Sequence, residues 1–144
     1  MTKRLNNIIC KSVETTDLKE TQLSIQINLD GFSFCIYSLP KKQPIVFQRF
    51  DFEEKAITPE KHLTQIESVF SENELLNKSF QKVIVVHQNE LATLVPNPLF
   101  DQNDLKSYLN QSVKVLAIDY ISYEGLTNMN ATTVYIPFVN INNF

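Results

Sequence analysis

Glycine and cysteine are both scarce in this chain. Only two of its 144 residues are glycine, Gly31 and Gly125, which leaves little material for a glycine-rich loop that cradles a phosphate. The two cysteines, Cys10 and Cys35, make neither a disulfide framework nor a metal site, and Cys35 lies in an apolar segment where a free thiol behaves as a small hydrophobe. We therefore expect no disulfide-stapled fold, no metal ligands and no cofactor.

Positive charge in excess and long apolar runs are missing as well. The formal net charge of −3 argues against a protein that binds the phosphate backbone of nucleic acids. The longest apolar run of note, Val83 to Val86, is far too short to span a membrane, and no apolar core of a signal peptide develops at the N-terminus. The sequence therefore predicts no nucleic-acid partner, no membrane association and a cytoplasmic location.

Three segments early in the chain show the pattern of an antiparallel sheet. Leu23–Asn28 and Phe32–Ser38 alternate apolar with polar residues, which is the period of a strand with one buried face. Asp30-Gly31 between them is a hairpin signal, and Ile45–Phe52 is aromatic-rich enough for a third strand. The segment before them, residues 1–22, is weakly patterned. It predicts an N-terminal arm that packs its apolar cluster Ile8-Ile9-Cys10 on the body and is otherwise mobile, followed by a single domain over residues 23–144.

Helices and strands alternate in the rest of the chain. Thr58 and Pro59 predict the start of a first helix, as its N-cap and first helical residue, and Asp101 predicts the N-cap of a second helix with Asp104 in its first turn. The strands expected among and after these helices are Lys82–His87, Leu91–Val95, Val113–Ile121 and Thr132–Ile136, with a turn-rich break at Gly125–Asn130. Lys82–His87 has no alternation, which is typical of a strand buried on both faces.

The predicted core consists of apolar residues on the inward face of a strand or helix. They are Ile25, Ile27, Phe34, Ile36, Leu63, Ile66, Val69, Phe70, Val83, Val85, Leu109 and Ile136.

This order of elements is that of the ribonuclease H-like domain, which is also the repeated half of actin, sugar kinases and heat-shock ATPases. We therefore expect an α/β fold with flanking helices and a mixed sheet of strand order 3-2-1-4-5, plus an extra hairpin strand. In that order Leu23–Asn28 is the central strand 1, and Lys82–His87 is strand 4, parallel to it.

Three stretches resemble those of an uncharacterised bacterial family with an actin-like, ribonuclease H-like fold. They read LSIQINLDGFSFCIYS, TLVPNPLF and VYIPFVNIN. The resemblance covers Leu23 to Phe144 and implies that this chain corresponds to the first half of a two-domain protein, because members of the family are nearly twice as long. That family has no established activity, so the resemblance implies none.

The chemistry of the wider group is the basis for a site prediction. Actin-like ATPases and sugar kinases carry an aspartate in the first strand, which handles the metal-bound water, and a glycine-rich hairpin whose N–H groups cradle phosphate. Gln26 falls near the aspartate position and Asn28 near the first glycine position, so neither residue type matches. Asp30 and Gly31 remain as the nucleotide-binding candidates, and an ordinary tight turn is the alternative interpretation. No catalytic residue is assigned.

A ribonuclease H-like nuclease would need several acidic side chains that converge on two metal ions. The first strand offers none, and Glu67, the best helix candidate, is more typical of a solvated helix face. His87 ends its strand where α/β proteins place site residues, but no carboxylate or cysteine lies beside it in sequence to form a dyad.

The leading hypothesis is a catalytically degenerate actin-like domain that binds another protein or a second domain of the same protein. A nucleotide-binding ATPase completed by a second half is the first alternative, and the nuclease is the second. The apolar residues Phe138, Val139 and Ile141 predict a surface for that second domain or for a homo-oligomer.

Overall fold

A computed structural model of the protein describes residues 2–9, 18–54, 58–88 and 90–143, with residues 2–9 and 142 described by their backbone. The chain divides into two compact units, Met1–Gln88 and Asn89–Phe144. Leu23, where we expected a single domain to begin, lies inside the first of these units.

A mixed sheet forms the first unit. Its elements are β1 (Thr2–Ile9), β2 (Thr21–Asn28), β3 (Gly31–Ser38), β4 (Gln43–Phe52), α1 (Pro59–Glu72) and β5 (Lys82–Gln88). The strand order is β1-β4-β3-β2-β5, in which β5 is parallel to β2 and the other neighbours are antiparallel. The predicted placement of β3 and β4 on one side of β2, with β5 parallel on the other side, is confirmed.

The N-terminal residues Thr2–Ile9 form an edge strand, so the prediction of a mobile arm was wrong for residues 2–7, whereas Ile8 and Ile9 join the body, as expected, by pairing with β4. Strand β1 pairs antiparallel with β4, with a register shift between Arg4 and Asn6. Backbone hydrogen bonds to an open sheet edge hold a strand whose sequence carries little periodic signal. Cys10, which follows β1 in the sequence, lies outside the described residues.

Helix α1 begins as the sequence predicts. The Thr58 hydroxyl oxygen accepts a hydrogen bond from the Lys61 N–H at 3.2 Å, and Pro59 is the first helical residue. The helix ends at Asn73, whose side-chain amide donates to the buried Gln48 of β4. This polar pair fixes the carboxyl end of α1 against the sheet, and because both partners are buried its loss would leave an unsatisfied group.

One face of the sheet packs against α1, and the alternation read from the sequence defines that face. The Phe32 ring contacts Phe70 of α1 edge to face, with centroids 5.8 Å apart. The buried apolar residues of β2–β4 and α1 are Leu23, Ile25, Ile27, Phe32, Phe34, Ile36, Ile45, Val46, Phe50, Phe52, Ile66 and Val69. Leu63 and Phe70, which we expected in the core, are half-buried.

Strand β5 is an edge strand rather than the buried strand that we expected. Val83 is 54% exposed and Val85 is 47% exposed, so their assignment to the core was wrong. A run of β-branched residues without alternation reflects the preference of these side chains for extended backbone, which operates at sheet edges as well as in cores.

A smaller antiparallel sheet forms the second unit. Its elements are β6 (Ala92–Pro96), α2 (Leu105–Asn110), β7 (Ser122–Leu126), β8 (Ala131–Tyr135) and α3 (Val139–Asn142). The strand order is β6-β8-β7, and Val95, Leu109, Val134 and Ile136 form its buried apolar cluster. Leu109 and Ile136 are thus core residues, as predicted.

Three expectations for this unit were wrong: the strand over Val113–Ile121, the break beginning at Gly125 and the helix N-cap at Asp101. Residues Val113–Ile121 form turns and irregular backbone, so the fifth strand expected in the mixed sheet is not found among the described residues. Gly125, expected to begin a break, instead lies in strand β7. Helix α2 begins after Asp104 rather than Asp101, because the Asp101 carboxylate instead accepts the N–H of Asn103 at 2.8 Å and forms a turn ahead of the helix. No described helix is long and apolar enough to cross a membrane.

Candidate functional site

A pocket of about 190 Å³ opens at the end of the β2–β3 hairpin, within the first unit. Residues of β2, β3 and β4 line it: Gln26, Asn28, Gly31, Phe32, Ser33, Phe47 and Arg49. Most of these residues alternate with the buried ones, so the pocket lies on the face of the sheet opposite to the α1 face.

Strand pairing explains why the surface is concave here. The paired residues are Gln26–Ser33, Ser33–Arg49, Asn28–Gly31 and Gly31–Asp51. On this face the middle strand, β3, presents only the small residues Gly31 and Ser33, because the Phe32 side chain between them is buried against α1, whereas β2 and β4 contribute long side chains on either side. The result is a trough with a floor of β3 backbone and the Ser33 hydroxyl, an amide wall from β2 and a guanidinium wall from β4.

Gly31 has a specific structural role in this trough. A Cβ atom on it would lie 2.9 Å from the backbone oxygen of Phe50, closer than real Cβ contacts allow. The turn itself is formed by Leu29 and Asp30, and Gly31 is the first residue of β3, with no positive φ angle. The Asp30-Gly31 signal therefore located the hairpin, but the glycine is needed for the close approach of β4 rather than for the turn.

The amide wall is a connected hydrogen-bond network. Gln26 Nε2 donates to the Asn28 side-chain oxygen at 3.3 Å and to the Gln88 side-chain oxygen of β5 at 2.5 Å. A neutral amide network thus lies near where we expected the aspartate position of the ATPase group to fall. Gln88 was not predicted as a site residue, because the predicted strand ended at His87 and no register for its pairing with β2 could be read from the sequence; in the structure Gln88 pairs with Asn28.

The guanidinium wall is formed by Arg49, which is the cationic residue among those lining the pocket. Its Nε donates to the Asp51 carboxylate at 3.0 Å, and the two side chains are 55% and 38% exposed. Sequence reasoning missed Arg49 because no motif marks it. The available signal was the alternation of β4, which places Arg49 on the same outward face as the exposed Phe47 and the half-buried Asp51.

A buried histidine supports the hairpin from the other face of the sheet. His62 of α1 is 1% exposed, and its Nε2–H donates to the backbone oxygen of Asn28 at 2.9 Å. Burial lowers the pKa of His62; the hydrogen bond to the Asn28 carbonyl raises this pKa and the charge of nearby His87 lowers it, and the net shift is downward. The neutral imidazole thus links α1 to the strand that carries the amide wall.

The other residues considered as site candidates from the sequence are not among the residues that line the pocket. Asp30 is exposed in the turn, Glu67 is exposed on α1, and His87 is half-buried on β5. Burial raises the pKa of the Cys35 thiol, which is half-buried and free. Over the described residues, no group of three or more His, Cys, Asp or Glu side chains is placed to hold a metal ion.

The predicted C-terminal surface is only partly accessible. Val139 is 45% exposed and Phe138 is half-buried, whereas Ile141 is 7% exposed. Ile141 is therefore buried within the described structure, while Val139 is the exposed member of the three. The homo-oligomer or second domain that it was expected to contact stays a prediction.

An exposed apolar turn stands out in the second unit. It comprises Leu116, Ala117, Ile118, Asp119 and Tyr120. Ile118 is 90% exposed, while the Asp119 carboxylate accepts the Leu116 N–H at 2.7 Å and fixes the turn. Val115 and Ile121, on either side, pack against the core cluster of the unit. The apolar turn is therefore a preformed projection anchored at both ends.

Comparison with known proteins assigns the chain to a family. A family model described as "Protein of unknown function (DUF3822)" matches residues 11–144. The chain belongs to this family. No curated protein matches the sequence.

A crystal structure from Bacteroides thetaiotaomicron, described as a protein with an actin-like ATPase fold and unknown function, is similar to this chain. The TM-score is 0.67 at 20% sequence identity, and the match covers 88% of this chain and 48% of that chain. The similarity confirms the actin-like, mixed α/β fold, and this chain spans about half the length of that protein. No function is established for the family or for this similar protein.

Proposed function

We propose that this chain is a catalytically degenerate actin-like domain that binds another protein, or a second domain of its own protein, and does not hydrolyse nucleotides. The observation that carries the proposal is the composition of the trough. Amide, hydroxyl and guanidinium groups line it, and no carboxylate is among its lining residues in the described part of the chain.

Actin-like ATPases use a carboxylate of the first strand to hold the magnesium ion or its bound water. Gln26 occupies that position, and its amide nitrogen already donates to Asn28 and Gln88. An amide brings no negative charge to a divalent cation, so the site has lost the group on which the chemistry depends. Asp30, the nearest carboxylate in sequence, is exposed in the turn and does not line the trough.

The apolar turn supports a protein as the partner. Leu116, Ile118 and Tyr120 are 50%, 90% and 67% exposed, on a segment that a side-chain hydrogen bond holds in place. Exposed aliphatic and aromatic side chains on a rigid projection are typical of interface residues that contribute much of the binding energy, because little entropy is lost when they are buried. We propose a bacterial, cytoplasmic setting for this interaction, supported by the bacterial source of the similar structure and the free Cys35.

Phosphate release from magnesium-ATP tests the proposal. We expect none above background from the wild-type protein, from Asp30→Ala or from Gln26→Asp, because a single restored carboxylate still lacks an opposing wall that closes over the phosphates. Steady release by the wild type that Asp30→Ala abolishes would contradict the proposal and establish an ATPase.

The alternative function is a nucleotide-binding ATPase completed by a second half. The position of the trough beside Asp30-Gly31, with Arg49 on its wall, favours it. Without a second half, both functions give no phosphate release, so the assay is repeated with that half present. An ATPase completed by the second half then releases phosphate, and a catalytically degenerate domain does not.

A further inference from the structure

We infer that the trough at the β2–β3 hairpin binds a single carboxylate group, presented either by a free organic acid or by an acidic side chain of a protein partner. This inference rests on the proposed function, because it assigns to the same trough the chemistry of the ligand that it binds. The argument uses three properties of the trough: its hydrogen-bond donors, its charge and its shape.

The trough presents several donors that have no partner in the described chain, whereas Gln26 Nε2 already donates to Asn28 and Gln88 and leaves only the Gln26 carbonyl oxygen, an acceptor. Arg49 uses Nε for its bond to Asp51, and among the described residues its two terminal nitrogens make no hydrogen bond. The side-chain nitrogen of Asn28 and the hydroxyl of Ser33 are likewise without a partner in the described chain. These groups present several N–H or O–H bonds to a small space, and the complementary ligand is an acceptor with two oxygens.

The charge of the trough argues against a polyanion and leaves one charge-assisted partner, Arg49, for a monoanion. Arg49 brings one positive charge, and the Asp51 carboxylate at 3.0 Å already offsets much of it. The other lining residues are neutral, and Asp30 adds negative charge to the neighbouring turn. A triphosphate would meet far too little positive charge here to compensate for its desolvation, whereas one carboxylate requires a single charge-assisted partner.

The shape of the trough fits a planar group. The amide of Gln26 and the guanidinium of Arg49 lie on strands either side of β3, and the small residues Gly31 and Ser33 form the floor between them. At about 190 Å³ the pocket is smaller than the usual site for a drug-sized ligand, and it suits a short acidic chain rather than a nucleotide. The half-exposed ring of Phe47 gives the methylene groups of such a chain an apolar contact.

Two blocked amino acids test this inference on the full chain. In blocked glutamate, acetylated at its amino group and amidated at its carboxyl group, the side-chain carboxylate is the only ionised group, and blocked glutamine is its neutral isostere. We expect titration with blocked glutamate to shift the NMR signals of the Gly31 amide and the Arg49 Nε–H, and to bind at least tenfold more tightly than blocked glutamine. Equal binding of the two compounds would overturn the inference.

Variants of Arg49 and a matched control define the site. Arg49→Gln is expected to weaken blocked-glutamate binding at least tenfold, and Arg49→Lys by a smaller factor, because lysine keeps the charge and loses the planar fork. Lys41→Gln, which removes one positive charge from the exposed turn at the other end of β3 and β4, is expected to leave binding unchanged. A loss as large in Lys41→Gln as in Arg49→Gln would mean that only net charge matters, and would overturn the site.

Propionate and inorganic phosphate complete the titrations. Propionate binding as tightly as blocked glutamate would identify free organic acids as the source of the carboxylate, and tighter binding of blocked glutamate would identify a protein side chain. Phosphate binding more tightly than either compound would overturn the inference. Steady phosphate release from magnesium-ATP would contradict the proposed function whatever these titrations give, so the two failures are distinguishable.

Discussion

His62 joins helix α1 to the β2–β3 hairpin of the first unit. Its imidazole is buried, contacts the Phe52 ring with centroids 6.2 Å apart, and donates a hydrogen bond to the backbone of Asn28. Because Asn28 belongs to the wall of the trough, the position of that wall is fixed by a side chain on the opposite face of the sheet.

The lowered pKa of His62 predicts how stability depends on pH. Folding depresses this pKa below its ordinary value of 6.5, so in this range the unfolded chain binds more protons than the folded chain. The contribution of His62 to stability is therefore fully present above the unfolded-state pKa and is lost as the pH falls towards the folded-state pKa. We expect urea unfolding to show lower stability at about pH 5.5 than at about pH 7.5, a window above the ordinary carboxylate range.

Two variants identify the group responsible for this pH dependence. His62→Gln should flatten it, since glutamine does not titrate, while His87→Gln should retain most of it because burial is the main cause of the shift. A wild-type stability that stays constant across the window, or an unchanged slope in His62→Gln, would show that His62 does not titrate as this structure requires.

The two glycines give a matched pair of substitutions, since both lie in strands and neither has a positive φ angle. Gly31→Ala should cost about 1–3 kcal/mol, because its methyl group would press on the Phe50 backbone oxygen and force β3 and β4 apart. Gly125→Ala, where no atom lies within 4 Å of the added carbon, should be neutral or stabilising by up to about 1 kcal/mol. Equal effects on the free energy of unfolding would contradict the close approach at Gly31.

At the scale of elements, strand β5 allows a direct comparison of an exposed and a buried valine. Val85→Ala should cost less than about 1 kcal/mol because nearly half of the side chain stays in water, whereas Val134→Ala, at 0% exposure in the second unit, should cost about 1–3 kcal/mol. Chemical denaturation of both variants checks this. A larger loss of unfolding free energy for Val85→Ala than for Val134→Ala would contradict the exposed position of β5 and support the buried strand that the sequence predicted.

The elements that could be predicted are those with a local physical signal. The alternation in β2 and β3 and the Thr58-Pro59 start of α1 depend on neighbouring residues, so the sequence contains them. Strand β1 depends instead on pairing with the distant β4, and no local pattern records a pairing partner.

The candidate site was predictable to a similar degree. The sequence located the hairpin and the missing carboxylate at Gln26, because both follow from strand position. The trough itself required cross-strand register, which brings Arg49 next to Ser33 and leaves Gly31 without a side chain between two longer neighbours. The apolar residues 116–120 were misread as strand because an exposed projection and a buried strand use the same residue types.

At the scale of the whole molecule, the chain has an actin-like fold, and in its described residues no carboxylate lines the trough. Its mixed sheet and flanking helix match a protein of about twice its length, and its family has no assigned activity. The fold by itself is compatible with many functions, so the chemistry of the trough decides between binding and catalysis.

The most direct test of this account is steady-state phosphate release from magnesium-ATP by the wild-type protein, measured with and without the metal ion. The account predicts release indistinguishable from the protein-free background in both conditions, since Gln26 cannot supply the negative charge that magnesium requires. Magnesium-dependent release that is proportional to protein concentration and is lost in Asp30→Ala would contradict it.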